Sequence, residues 1–395
     1  MPTLVLLQVA IACAILCNVL FLAWQQMEPM LAPSGVDGKD LILIDGLDAS
    51  GRAWTAAEVQ AGTHALQETP GVRAVSAALG LPMVVNLVNI RAYRGPTGVT
   101  VGTNAYQGYD LLDTLKLQLV SGRNFLPDEY RDTGGDQGEG MPEPIIITQS
   151  SAQQLFGDVS PLGQILHSPD DKKESTALVV GVVRHLLGNG INMTTSGRAD
   201  DTVLEPVKVA TSWWLSYAVR VDPSMHEVAL HGVRTAIKNQ FGSLLPVGST
   251  PKAEFYATRR DAIYKSRRVT LLLLAAVTMT VVVVTMTGIM GLTSFWVQKR
   301  TRQIGIRRAL GARRIDILRY FLAENALIMS TGMVPGMALA YFGNAWLMRY
   351  YELPHLPWVW LPLGAVLMLL LGQLAVFSSA LSASRVSPAV ATRHA

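Results

Sequence analysis

Between Met27 and Arg268, the side chains that could do chemistry are five scattered histidines, a serine pair and a few acid clusters. Imidazole is the commonest protein ligand for zinc and a ready general base near neutral pH. His64, His167, His185, His226 and His231 nevertheless have no metal-ligand spacing and no cysteine partner. Ser150-Ser151 lies outside any G-x-S-x-G elbow, and no Ser, His and Asp grouping follows from spacing. Asp170-Asp171 next to Lys172-Lys173 reads as a solvated turn of opposite charges. No G-x-x-x-x-G-K-[ST] stretch occurs, so the polypeptide lacks a phosphate-cradling loop of its own. The residues thus point away from an enzyme and from a resident cofactor or metal. If the protein uses ATP and magnesium, another subunit must bind them.

The patterned chemistry is instead cationic. Gln298-Lys-Arg-Thr-Arg-Gln-Ile-Gly-Ile-Arg-Arg-Ala-Leu-Gly-Ala-Arg-Arg314 carries seven basic residues with no acid before Asp316. It lies between two apolar runs, Val269 to Trp296 and Tyr320 to Tyr341, each long enough to cross a bilayer at about 20 residues. Short basic loops stay in the cytoplasm, because cations resist translocation and favour the anionic inner face. From Ile304, apolar residues recur at Ile306, Ala309, Leu310 and Ala312 with arginines between them. That spacing predicts a short amphipathic helix at the membrane surface, broken at Gly311.

Composition fits a membrane protein with a large water-exposed part. Hydrophobic residues reach 50% and charged residues still 16%, with a mean hydropathy of +0.29. The net charge of +4 gathers beside the apolar runs, so it does not argue for nucleic acid. Cys13 and Cys17, four apart in an apolar run, read as small residues on one helix face.

The expected organisation is four transmembrane α-helices with a large α+β periplasmic domain inserted between the first and second. Residues 1–26 form the first span with a cytoplasmic N-terminus, preferred over a cleaved signal peptide because no Lys or Arg precedes it. Residues 27–268 form the outer domain, 269–297 the second span, 298–319 the cytoplasmic loop and 320–342 the third span. Residues 343–360 make a short outer connection with an aromatic belt, 361–381 the fourth span and 382–395 a basic cytoplasmic tail. Arg259-Arg260 and Lys265 to Arg268 then fall on the outer side, against the positive-inside preference; long translocated domains escape that rule. Gly288 and Gly291 permit close helix contact, within one protomer or between two. Glu324 reads as an interfacial carboxylate, with pairing to a neighbouring arginine as the alternative, and Pro335-Gly336 as a helix break.

Within the outer segment, Thr55 followed by Glu58 marks a capping box opening a helix to Thr69. Helices also fit Ser150 to Phe156 and Pro223 to Phe241. Strands fit Leu41 to Ile44, Val72 to Ala78, Met83 to Tyr93, Ile145 to Ile147, Ala177 to Val183, Val203 to Val209 and Leu215 to Val221. Mixed in this way, they indicate an α+β domain of one or two lobes. Asp128 to Pro142 and Leu187 to Asp201 read as exposed loops.

Thr301-Arg-Gln-Ile-Gly-Ile-Arg-Arg-Ala-Leu-Gly-Ala-Arg-Arg314 resembles the signature loop of MacB/FtsX-type ABC transporter permeases, whose usual form is R-x-x-E-I-G-I-R-R-A-L-G-A. Ala383-Ser-Arg-Val-Ser-Pro-Ala-Val-Ala-Thr-Arg393 is similar to that family's C-terminal A-x-R-x-x-P-x-x-x-x-R. Weaker likenesses run through the outer segment at Leu66 to Val72, Gly122 to Phe125, Ala152 to Phe156, Pro161 to Gly163 and Val179 to Val183. Gln303 stands where the signature has an acid.

The resemblance implies a permease subunit of the cell inner membrane, paired as a homodimer or with a second permease. A separate ABC ATPase subunit would hold ATP and magnesium and dock at Arg302, Gln303, Ile304, Gly305, Ile306, Arg307, Arg308, Leu310 and Gly311. It implies efflux, with mechanical transmission to the outer domain, membrane lipid around the spans and a periplasmic adaptor with an outer-membrane channel as partners. A signalling module that drives a cell-wall hydrolase or sensor, and a lipoprotein-release permease, are the alternatives. The size of the outer domain favours an exporter.

Overall fold

The computed structural model describes the chain apart from residues 1, 50, 85–88, 134–140, 170–175, 189–199, 247, 301–302, 304–305, 308–309, 311, 352–354 and 385–395. It separates into two compact units. One comprises Leu31–Lys265, the other Met1–Met30 with Ser266–Ala395.

The first unit is built on strands whose local sequence is mostly β-branched and apolar. Four of them, β1 (Leu41–Asp48), β2 (Val72–Leu79), β11 (Trp214–Val221) and β12 (Lys252–Phe255), lie in the order β12-β1-β11-β2. Helix α2 (Ala56–Gln67) joins β1 to β2, and α5 (His226–Phe241) joins β11 to β12. This is a split β-α-β arrangement with both helices packed on one sheet. Their shared core holds Ile42, Ile44, Val59, Leu66, Val233 and Ile237. Trp54 is fully buried there, its indole N–H donating to Leu47 O at 3.0 Å and its ring edge-on to Phe241 at 5.1 Å. Gly62 is required by that packing: a Cβ would come within 2.3 Å of the Phe241 ring.

The capping box that opens α2 is formed. Glu58 N–H donates to Thr55 Oγ1 at 3.4 Å, and Thr55 N–H donates back to Glu58 Oε2 at 2.9 Å. The Arg52 guanidinium clamps the same carboxylate and, with the Thr55 N–H, holds Glu58 down at about 2.

A second core lies inside a closed circuit of strands. β3 (Ile90–Arg94), β4 (Thr100–Gly108), β7 (Glu143–Thr148), β8 (Ile165–His167), β9 (Thr176–Val183) and β10 (Thr202–Lys208) pair as β4-β3-β8-β9-β7-β10. β10 then pairs in parallel with β4, from Thr202 opposite Asn104 to Pro206 opposite Gly108, and closes the ring. Tyr93, Val101, Ile145, Phe156, Val179 and Val203 belong to its core. Short β5 (Leu119–Gly122) adds to β9, and β6 (Arg131–Asp132) adds to β10. Two further helices are α3 (Leu111–Thr114) and α4 (Gln149–Phe156). Buried Glu205 is satisfied by the Tyr93 hydroxyl at 3.1 Å and the Gln107 amide, as a carboxylate out of water must be.

Two expectations for this unit change. A strand from Met83 was expected, but Pro82-Met83 forms a turn with Met83 at φ 65, and β3 starts only at Ile90. The Asp128–Pro142 stretch contains β6, whose pairing comes from β10 and not from its own polar sequence.

Asp110 also departs from ordinary backbone, at φ 56. Burial and the neighbouring Asp113 carboxylate push its carboxyl up to about 6. The folded state therefore binds a proton that the unfolded chain has lost, and stability falls as pH rises from about 4 to about 6. Asp110→Asn removes that slope and tolerates the left-handed backbone. Melting of the detergent-solubilised protein at pH 7 is expected to rise by about 2–4 °C, allowing roughly 1 kcal/mol after solvent screening. An unchanged slope between pH 4 and 6 would refute the assignment.

The second unit holds α1 (Pro2–Leu31), α6 (Tyr256–Lys299), which starts in the first unit, α7 (Arg314–Tyr351) and α8 (Trp360–Ser384). Each is long and apolar enough to cross a membrane. α1 is the packed centre: Val9, Ala12, Cys13, Leu16 and Cys17 are buried against α7 and α8 residues such as Met333, Ala340 and Met368. The expected break at Pro335-Gly336 does not occur. α7 is continuous through Pro335, as apolar spans tolerate when neighbours compensate the lost hydrogen bond. Gly336 instead lets α1 approach, since a Cβ there would meet Ala10 O at 2.8 Å. Gly288 is likewise used within the unit, against the Gln8 side chain, while Gly291 faces open space.

Candidate coupling site

The basic stretch leaves α6 at Lys299 and re-enters regular helix at Arg314. Gln303, Ile306 and Arg307 are helical, Leu310 N–H donates to Ile306 O at 3.0 Å, and Ala312 N–H donates to Arg307 O at 3.0 Å. A short helical segment thus forms between the two long helices. Arg302, Ile304, Gly305, Arg308 and Gly311, which belong to the expected docking set, lie outside the described residues.

The described members divide by environment. Ile306 is 52% exposed and Leu310 82%, so two apolar side chains one turn apart are left uncovered by the described residues. Arg307 turns the other way and stacks over the Tyr320 ring at 4.9 Å. Gln303 and Arg307 both line a cavity against α7, with Asp316, Ile317 and Tyr320.

The segment is tied to the long helices by charges that the sequence alone did not pair. Arg300 Nη1 donates to both carboxylate oxygens of Glu324, at 2.9 and 3.0 Å, and its guanidinium lies 5.2 Å over Trp296. Of the two readings of Glu324, interfacial residue or partner of a nearby arginine, the second is realised: it anchors the end of α6 to α7. Lys299 stacks over Phe295 at 4.9 Å. At the start of α7, the Asp316 carboxylate accepts from the N–H of Arg313, the residue before the helix, at 3.0 Å, while the Asp316 and Ile317 N–H groups donate to Arg313 O. Asp316 lies in the first turn of this helix, which begins at Arg314, six residues before the expected start of the third span. The Arg300–Glu324 pair had no local signal, because no spacing rule reaches across a loop.

The histidines are used structurally. His226 meets Asp40 at 2.9 Å and His185 meets Asp200 at 2.7 Å. Among the described residues no three metal-binding side chains gather.

Comparison with known proteins assigns the chain to a family. The MacB-like periplasmic core domain family matches residues 5–240, and the FtsX-like permease C-terminal family matches residues 275–388. The chain belongs to the MacB/FtsX family of ABC transporter permeases. The permease is 27% identical over 298 residues to the macrolide export ATP-binding/permease protein MacB of Shewanella oneidensis, covering 70% of this chain and 40% of that protein. It is 27% identical over 288 residues to a probable syringafactin export ATP-binding/permease protein of Pseudomonas syringae, covering 68% and 40%. The permease chain thus spans about 40% of the length of these relatives. Among solved structures, the periplasmic region of MacB from Actinobacillus actinomycetemcomitans aligns at a TM-score of 0.38 and 13% identity, over 58% of this chain and 94% of that one. The extracellular domain of the transporter YknZ from Gram-positive bacteria aligns at 0.36 and 14%, over 54% and 99%.

Proposed function

We propose that this permease is the membrane subunit of an ABC efflux system of the inner membrane, acting as a non-catalytic transmitter. Four helices cross the bilayer with both chain ends inside, and the unit Leu31–Lys265 stands in the periplasm. A separate ATPase subunit, carrying ATP and magnesium, docks on the segment from Arg302 to Gly311. The permease works as a homodimer or beside a second permease, and its outer domain engages a periplasmic adaptor leading to an outer-membrane channel.

The observation that carries this reading is the exposed apolar pair Ile306 and Leu310 on a short basic helical segment anchored by Arg300 and Glu324. A helix presenting spaced apolar anchors fits a groove in a soluble partner, and its arginines meet acids at the rim. The export activities in the relatives' names support efflux as the output.

The test is a pull-down of the tagged protein from gently solubilised membranes, with every co-purifying chain identified. An ATPase together with a periplasmic adaptor is the expected result. An ATPase with a cell-wall hydrolase and no adaptor would replace efflux with signalling. Absence of any ATPase would overturn the docking assignment.

A further inference from the structure

Two cavities in the membrane unit share Phe321 as a wall. The first, of about 280 Å³, has the charged and polar side chains of Arg300, Gln303, Arg307 and Asp316 on a wall that also includes Ile317 and Tyr320. The second, of about 50 Å³, is largely apolar and is lined by Val5, Ile289, Leu292, Trp296 and Ile328, with Glu324 and Asn325 at its polar margin. A cationic chamber adjoining an apolar crevice, at the end of a spanning helix, has the polarity of an amphiphile.

We propose that this double cavity holds one anionic phospholipid of the inner leaflet. Its phosphodiester lies on Arg300 and Arg307, and one acyl chain runs along the crevice beside Leu292 and Ile328. The site rests on the reading of residues 298–319 as the loop at the inner membrane face.

The charges favour an anion. Residues 298–319 hold eight basic side chains and one acid. That acid, Asp316, is engaged by the Arg313 N–H. Glu324 offsets Arg300, but among the described residues no carboxylate pairs with Arg307. The Arg307 guanidinium lies 4.9 Å over the Tyr320 ring and that of Arg300 5.2 Å over Trp296, and a guanidinium's five N–H groups match phosphate oxygens. Gln303 bears on the same point. It lines the chamber where the family signature carries an acid, and an amide adds no negative charge opposite the two arginines. A phosphate at such a site also carries the favourable surface potential that draws basic segments to anionic lipid. The crevice decides between lipid and the acids of a protein partner, because a carboxylate has no use for Val5, Leu292 and Ile328, whereas an acyl chain does.

Native mass spectrometry of the full-length protein in detergent tests this, with phosphatidylglycerol and phosphatidylcholine of identical chains as probes. Phosphatidylglycerol should be retained roughly tenfold more than phosphatidylcholine, the scale of a charge-assisted contact. Arg307→Gln and Gln303→Glu should each bring its retention down to the phosphatidylcholine level. Gln303→Glu is the decisive variant, since it restores a residue type natural to the position and does not threaten folding. Ile328→Trp, which fills the crevice, should lower retention of both lipids, and glycerol 3-phosphate should fail to compete. Equal retention of the two lipids would overturn the proposal, as would phosphatidylglycerol retention unaltered by Arg307→Gln and Gln303→Glu. Full competition by glycerol 3-phosphate would make this a phosphate site and not a lipid site. Unaltered lipid retention with loss of the ATPase in Arg307→Gln would assign the arginine to the protein partner and sink the lipid reading. ATPase co-purification is read separately, so failure here leaves the proposed function standing.

Discussion

Changing Ile306 and Leu310 together to aspartate should leave the protein in the membrane and strip it of its ATPase. The two side chains are exposed apolar groups one turn apart, 52% and 82% accessible, and among the described residues no packing accounts for them. Each should contribute roughly 1.5–3 kcal/mol when a partner groove covers it. Losing both weakens association by roughly a hundredfold or more, before the cost of burying two carboxylates is added. The membrane unit should be untouched, because neither residue belongs to its core. Co-purification of the ATPase with the double variant, at parental stoichiometry and with a parental gel-filtration profile, would remove this surface from the docking site.

The second large effect is one of stability. Arg259 and Asp45 are 5% and 7% exposed and form a two-pronged ion pair, Nη1 to Oδ2 at 2.8 Å and Nη2 to Oδ1 at 2.9 Å. It joins α6 to β1 inside the first unit. Asp45→Ala leaves the guanidinium buried with Glu254, at 3.8 Å and more exposed, as its remaining carboxylate. Breaking a buried pair from one side costs roughly 3–5 kcal/mol, whereas replacing both partners by apolar groups of similar size is close to neutral. Asp45→Ala should therefore lower the melting temperature by roughly 6–20 °C. The combination Asp45→Leu with Arg259→Met should recover most of that. A single variant melting within a degree of the parent, or a double variant no better than the single, would contradict this account.

That pair also shows what could be read in advance and what could not. Arg259 looked like a stray outer-side cation that offended the positive-inside preference. It is instead spent on a carboxylate far away in sequence, so it does not count among solvent-facing charges. The α2 capping box was legible because Thr55 and Glu58 act within one turn. β11 and β9 were legible because their apolar runs have the length and composition of buried strands. β4 was not. Thr100-Val-Gly-Thr-Asn-Ala-Tyr-Gln-Gly108 has poor strand composition, and pairing with β2, β3 and β10 makes it a strand. At the coupling site, the apolar pair followed from periodicity. The Arg300–Glu324 anchor and the stacking of Arg307 on Tyr320 depend on how α6 and α7 meet, which no local pattern encodes.

The closed strand circuit has a consequence for biogenesis. β10 must find β4, nearly a hundred residues earlier, and β11 and β12 must find β1 from still farther away. Such pairings are slow, because loop-closure entropy is lost before any contact rewards it. During synthesis the ring cannot form until Pro206 has been added, and the β12-β1-β11-β2 end of the same sheet stays incomplete until Phe255, one residue before α6 begins. Until β10 has been added, the growing chain presents one side of Ile145 to Ile147 as an unpaired, aggregation-prone edge, its other side being paired by β9. Maturation of this domain is therefore coupled to completion of the whole segment, and a chain stalled before β12 is a substrate for holding chaperones and proteases, not a partly working domain.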